Sequence, residues 1–270
     1  MRPLVCPEPD IKLPVIRYGG IHQGLTGART MDVTGHRQDF ELQINWLDQD
    51  EYRWLEALHA RVVPGPYYLI NPLKRNRLSL QASKMSISQS SKTGVRLPAG
   101  SSTGQSLAFP AAEVGLPGWS SYVWHWDDPS PRVTFDRGRP IPVLAGETIT
   151  ASIFLNPSPG DPVTVTLQLD WFDVAGETLT PTASAIELPS GWTRQQVTGV
   201  PPSGAVSCRF SMGLVDPDGA VYMAAPQVEA ASAATNWEIG GASVQVLLDQ
   251  FDTESRRFPY RNTTLKLLEA

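Results

Sequence analysis

Phe40, Leu42 and Ile44 alternate with Asp39, Glu41 and Gln43, a period of two that predicts a strand over residues 39–45 with one buried and one solvated face. The period then changes. Asp48 precedes Glu51 by the spacing of a capping box, Leu47 and Tyr52 are placed for a hydrophobic staple, and Tyr52, Trp54, Leu55 and Leu58 follow at helical intervals. These positions predict one amphipathic helix over residues 49–60, packed on the sheet. Short strands are expected at residues 15–18 and 67–70. The second is closed by Asn71-Pro72, whose proline lacks the N–H that a central strand needs.

Beyond residue 80 the rhythm is different. Short β-branched runs at residues 148–155, 163–172, 193–197, 206–212 and 221–223 are separated by turn-forming stretches, Pro157-Ser158-Pro159-Gly160, Val174-Ala175-Gly176-Glu177 and Asp216-Pro217-Asp218-Gly219. Regular short strands between such turns predict an all-β sandwich or jelly roll with no helix interrupting it. Two last strand candidates, residues 244–249 and 263–268, flank a polar turn. A lone hairpin is marginal in water, so this one is assigned to the incomplete sheet of residues 1–80. The expected fold is mainly β. Residues 1–80 and 244–270 form a β-sandwich domain with one flanking helix, and residues 81–243 form an inserted jelly-roll β-sandwich.

A chain of 270 residues suits two domains. Its net charge of -5 and pI near 5.4 argue against general nucleic-acid binding, which needs excess Lys and Arg to displace counterions. The acidity sits in the middle, where residues 81–243 hold 8 basic and 14 acidic side chains, against 10 and 9 before them and 4 and 4 after. No run of ~18 apolar residues predicts a membrane helix, and the first residues lack the ~7–15-residue apolar core of a secretory signal, so a soluble, unexported protein is expected. Cys6 and Cys208 are far apart in dissimilar contexts and are expected to be free thiols in a reducing compartment.

The stretch W-L-D-Q-D-E-Y-R-W-L-E-A-L (Trp46 to Leu58), then G-P-Y-Y-L-I-N-P-L-K-R-N-R-L-S (Gly65 to Ser79), closed by the turn from Arg257 to Tyr260 and the strand from Leu265 to Leu268, resembles minor tail proteins of long-tailed phages of actinobacteria. Within that group it is most similar to the distal tail protein. The resemblance implies a tail-tube-like β-sandwich that oligomerises into a ring, commonly of six copies, at the end of the tail tube. Such a ring joins the tube to the hub and receptor-binding parts around a lumen for DNA. Implied partners are the chain itself, the tail tube protein, the hub and other tail tip proteins, and the tape measure protein. The implied location is the virion tail, assembled in the host cytoplasm. The middle segment, with L-A-G-E-T-I-T-A-S-I-F-L, L-D-W-F-D-V-A-G-E-T-L and V-Y-M-A-A-P-Q-V-E, is similar to jelly-roll carbohydrate-binding modules. Met223 stands where that pattern often carries an acidic residue.

Sugar recognition needs aromatic faces beside polar groups. The densest supply is W-S-S-Y-V-W-H-W-D-D, in which Trp119, Tyr122, Trp124 and Trp126 are candidate cell-wall glycan-binding residues. Alternation puts Tyr122, Trp124 and Trp126 on one strand face, which serves a ligand or the sandwich core. Lys74, Arg75 and Arg77 have two readings: a solvated loop, or a ring-interface cluster that faces the lumen or pairs with Asp48, Asp50 and Glu51 of a neighbouring copy. Gly20 to Arg29 reads as a mobile loop, ordered on contact with the next ring or the hub. His22, His36, His59 and His125 lack ligand spacing, and no metal or other cofactor is expected. No nucleophile elbow, phosphate loop or Cys/His motif is present, and adjacent Asp127 and Asp128 point to opposite strand faces, so a non-enzymatic protein is expected. The structural tail reading stands against one alternative, a free carbohydrate-binding protein.

Overall fold

The computed structural model describes residues 15–18, 20–23, 29–31, 35–85, 95–96, 105–106, 123–126, 132–136, 138–158, 163–215 and 219–270. In chain order they form β1 (Val15–Tyr18), β2 (Ile21–Gln23), β3 (Arg29–Met31), β4 (Gly35–Leu47), α1 (Gln49–His59), β5 (Tyr67–Ile70) and α2 (Leu80–Ser83). Next come β6 (Val95–Arg96), β7 (Gln105–Ser106), β8 (Val123–Trp126), β9 (Val133–Phe135), β10 (Ile141–Pro142) and β11 (Ile149–Pro157). Then follow β12 (Thr164–Phe172), β13 (Thr182–Glu187), β14 (Thr193–Gly199), β15 (Ser207–Leu214) and β16 (Val221–Ala230), and a long hairpin, β17 (Ser243–Arg257) with β18 (Tyr260–Glu269), closes the chain. Two compact units result, Met1–Leu69 with Val244–Ala270, and Ile70–Ser243.

In the terminal unit the sheet order is β1-β4-β18-β17-β5, so the returning hairpin lies between strands from the first part of the chain. The alternation in β4 sorts its side chains: Phe40, Leu42 and Ile44 are buried, and Gln43 is exposed. Phe40 and Leu42 pack with Val244, Val246, Leu265 and Leu267. Helix α1 adds Leu55 to Ile44 and Leu47, with Phe251 against them. Its capping box is complete, since the Glu51 N–H donates to Asp48 Oδ1 at 2.8 Å and the Asp48 N–H to Glu51 Oε2 at 3.3 Å. The β4–β18 register pairs Leu47 with Arg261 and Ile44 with Thr263, so Asn45 and Trp46 oppose Asn262 alone. At this bulge Trp46 takes φ 61°, a left-handed conformation that favours glycine, and its N–H donates to Asn262 Oδ1 at 3.3 Å. Of the stretch from Gly20 to Arg29, expected as a loop, residues 24–28 lie outside the described residues, and its flanks pair antiparallel as β2 with β3, Ile21 and His22 aligned with Met31 and Thr30.

The second unit is a jelly-roll β-sandwich of antiparallel strands. One sheet runs β13-β12-β15-β9-β6 with β10 beside β15, and the other runs β14-β11-β16-β8-β7. Between them lie Trp126, Trp171, Met223 and Val228, with Phe135 stacked on Phe210 at 4.8 Å between centroids. This unit starts at Ile70, earlier than the boundary near residue 80 that the charge pattern suggests. The reason is the packing of residues 76–85. Leu78, Ala82 and Met85 enter the core, the Arg77 N–H donates to Val228 O at 2.7 Å, and Ser79 Oγ donates to Asp136 Oδ1 at 2.5 Å. A side chain at Gly240 would meet Leu78 O at 2.3 Å, so only glycine admits this approach. Strands β6, β7, β9, β10 and β13 are additional to the sequence expectation. The first four are two or three residues long, and β13 buries neither face fully.

Cys208 is a free thiol with no exposure, on β15. Burial pushes it up to about 12, with the Arg77 guanidinium acting in the opposite direction. In a Cys6→Ser variant, the remaining thiol is expected to resist a maleimide at pH 8 and to react only on unfolding. Prompt labelling of native protein would contradict this. Because the folded thiol ionises later than the unfolded one, stability is expected to hold up to about pH 9 and to fall as pH rises from there through 12. Urea titrations across that range follow it.

Candidate functional site

Strand β12 buries Val165, Leu167, Leu169 and Trp171 and turns Thr166, Gln168, Asp170 and Phe172 to the other face. Its neighbour β15 sets Ser211 opposite Gln168, and Arg209 opposite Asp170. β9 adds Thr134 opposite Ser211, and Arg132 just before it. Three strands therefore bring one row of polar groups onto the outward face of the larger sheet. The Arg132 guanidinium donates to Gln168 Oε1, Gln168 Nε2 donates to Asp170 Oδ1, and Ser211 Oγ donates to Asp170 Oδ2 at 3.1 Å. Arg209 lies over the Phe172 ring, 4.7 Å from its centroid. Gly213 leaves room for Arg132, since an added Cβ would sit 3.3 Å from its Cγ.

Gln168 and Ser211 are buried within the row, so what it presents outward is the half-buried Asp170 carboxylate and Phe172 ring with the Arg132 and Arg209 guanidiniums, groups that can meet a neutral polyol by hydrogen bonding and apolar contact. The carboxylate is oriented by two donors. Glu187 is aligned with Thr164, six positions from Asp170 along β12 and about 20 Å away at strand rise. A glycosidase pair needs ~5–9.5 Å, so these two do not flank one bond. Among the described residues, no group of three His, Cys, Asp or Glu is gathered for a metal ion. No helix among them is long and apolar enough to cross a membrane.

The outward face of the smaller sheet is closed differently. Ser152 Oγ accepts from Arg194 Nη2 at 2.9 Å, and Arg194 also reaches Thr235 O and stands 5.4 Å from the Phe154 ring centroid. Glu229 Oε1 accepts from Gln227 Nε2 at 2.7 Å and from the Thr235 N–H at 2.9 Å. Burial lowers the Arg194 pKa, and the nearby Glu229 carboxylate opposes that shift. The segment around Thr235 satisfies these groups and occupies the face.

The aromatic candidates separate. Trp126 is fully buried opposite Val221, so it belongs to the core and presents no ring to a ligand. Trp124 lies on β8 aligned with Met223, but its side chain, like Trp119 and Tyr122, lies outside the described residues. Residues 216–218 of the acidic turn also lie outside them. Met223 is itself buried.

The basic cluster separates too. Arg77 is buried, and its Nη1 and Nη2 donate to Glu147 Oε1 at 2.6 Å and Oε2 at 2.8 Å, with Nη1 also on Pro142 O at 3.0 Å. It therefore cannot reach a neighbouring copy, which corrects its reading as a ring-interface residue. Lys74 is half-buried and Arg75 exposed, the Arg75 N–H donating to Glu238 Oε1; both belong to the jelly-roll unit. Asp48 and Glu51 serve the cap of α1, and exposed Asp50 lies 3.9 Å from Arg53. The row at Asp170 went unnoticed in the sequence. Its signal is the alternation Thr166, Gln168, Asp170, Phe172 within a run taken only as a strand.

No family model matches the sequence, and no curated protein does. Solved structures with similarity include a xylan-binding CBM22-1 domain from Paenibacillus barcinonensis, at TM-score 0.40 and 13% identity over 60% of this chain and 99% of that one. The CBM22-1–GH10 modules of a Clostridium thermocellum xylanase match at TM-score 0.40 and 10% identity, covering 64% of this chain and 30% of that one. The enzymatically active domain of tailspike protein 4 from bacteriophage CBA120 matches at 0.41 and 10%, covering 57% and 21%.

Proposed function

We propose that this chain is a non-enzymatic structural protein of a phage tail, a distal-tail adaptor. Its terminal unit assembles into a ring, of six copies in the arrangement the resemblance implies. It joins the tail tube to the hub and tip proteins, with the tape measure protein as a further partner. It assembles in the host cytoplasm and resides in the virion tail. The observation that carries this reading is the split build of the terminal sheet, in which β17 and β18 return to lie between β4 and β5 after the jelly roll. Such a scaffold keeps its own sheet while displaying a complete second unit, as an adaptor requires. Electron microscopy and native mass spectrometry of the purified protein test it. Rings with a central hole support it, and a strict monomer at every concentration overturns it.

The jelly roll supplies the second half of the proposal, adhesion to host-wall glycan through the Asp170 row. Each contact is weak, and ring multiplicity raises the avidity. The same row favours the alternative reading, a free carbohydrate-binding protein. Asp170→Ala removes the oriented carboxylate and is expected to weaken retention on soluble wall polysaccharide by about tenfold or more, the loss when polar ligand groups go unpaired. Affinity electrophoresis measures it, with the thermal midpoint as control. Unchanged retention with wild-type stability would remove this face from consideration.

A further inference from the structure

The turn joining β17 to β18 exposes Phe258 to 90%, and beside it Trp46 is 62% exposed and Tyr260 44%. The Trp46 and Tyr260 rings meet edge to face with centroids 6.0 Å apart. Trp46 holds this position from the left-handed bulge, an unfavourable conformation for a bulky side chain, which turns its indole to solvent instead of into the core. Three aromatics gathered at one tip form an apolar patch of the kind that marks an interaction surface. The terminal unit also contains a cavity of about 330 Å³, whose apolar walls are Leu58, Pro66, Tyr67, Val246, Leu247 and Leu248. Val62 and Val63, exposed in the turn after α1, follow the Arg61 that lines it.

Tip and cavity lie toward opposite ends of β17, nine residues from Leu248 to Arg257, or about 30 Å at strand rise. One rigid hairpin cannot fold back to fill its own cavity. We propose that Phe258 of one copy seats in this cavity of the next, with Trp46 and Tyr260 covering the rim, so that the terminal units join head to tail. The occupant is a second copy of this chain on two grounds. The cavity has room for an aromatic side chain, and both parts are carried by every copy. With aromatic side chains burying ~150–250 Å² each when fully covered, the exposed fractions of these three amount to on the order of 300–500 Å². That is about half of the ~800 Å² per partner in a standard interface, the range of a contact that assembles through repetition. A contact between two different patches is heterologous, and its repetition closes into a ring or runs on as a filament. This inference rests on the ring reading of the proposed function and names its seam.

Two single variants at exposed positions test it, Phe258→Ser, which removes the knob, and Leu247→Glu, which puts a charge at the cavity mouth. Each is expected to weaken self-association by about 30-fold or more, as truncating an interface anchor does, with the wild-type thermal midpoint retained. Mixed together, the two variants keep one intact contact, the Phe258 of the Leu247→Glu chain in the cavity of the Phe258→Ser chain. The mixture is therefore expected to give a capped species of two 29.5 kDa chains and nothing larger on native mass spectrometry. If wild type assembles and Phe258→Ser assembles equally well, the seam lies elsewhere while the ring reading stands. If wild type never assembles, both fail.

Discussion

Arg77→Ala is expected to destabilise the jelly-roll unit by about 3–5 kcal/mol, the cost of leaving one member of a buried ion pair alone. The side chains of Arg77 and Glu147 are 7% and 14% exposed, and two parallel N–H···O contacts join them. Removing the guanidinium strands the Glu147 carboxylate, whose remaining contact shown among the described residues is the Leu144 N–H at 2.6 Å. It also frees Pro142 O from a 3.0 Å donor. For a unit of this size each kcal/mol moves the midpoint by ~2–4 °C, so a drop of about 6–20 °C is expected in calorimetry. Replacing both partners, Arg77→Met with Glu147→Leu, is expected to recover most of the loss, because the penalty belongs to the stranded charge. A single variant that melts with wild type would show that the pair contributes nothing. Charge reversal at Arg77 is accordingly a poor probe of assembly, since it places two carboxylates together inside the unit.

The second large effect is expected at Asn76, which is fully buried and whose side chain makes four hydrogen bonds among the described residues. Its Nδ2 donates to Pro226 O at 3.2 Å and Glu238 O at 2.9 Å, and its Oδ1 accepts from the N–H groups of Leu78 and Val228, each at 3.2 Å. One amide thus satisfies backbone groups on three separate segments. Asn76→Ala leaves them without that partner, at about 1–3 kcal/mol for each group that finds no substitute, and a loss of about 3–5 kcal/mol is expected in urea titrations. Asn76→Asp keeps the acceptor but sets a carboxylate against two carbonyls, so it is expected to be no better than alanine. Rescue by aspartate would mean that the two donated bonds are dispensable.

Legibility in the sequence followed the range of the interactions. Strand β4 and the cap of α1 were readable, because Phe40, Leu42, Ile44, Asp48 and Glu51 act within a few residues of one another. Arg77 was not readable, because Glu147, which gives it its meaning, is 70 residues away. Beside Lys74 and Arg75 it resembled a solvated basic run. Trp126 shows the same limit in another form: alternation places it with its strand-mates on one face, but which face is core depends on Val221 across the sheet. The Asp170 row needs three strands in register, and strand partners are a property of the folded chain.

The Asn71 N–H donates to Ala242 O at 2.7 Å, so the inserted unit's two ends meet. Chain ends that meet this closely make the unit a cassette. Replacing residues 71–242 by a short hairpin turn would close little more loop than the native join does, a small entropic change. Different modules could be exchanged at this port during evolution, or by recombinant grafting, without redesigning the strands that receive them.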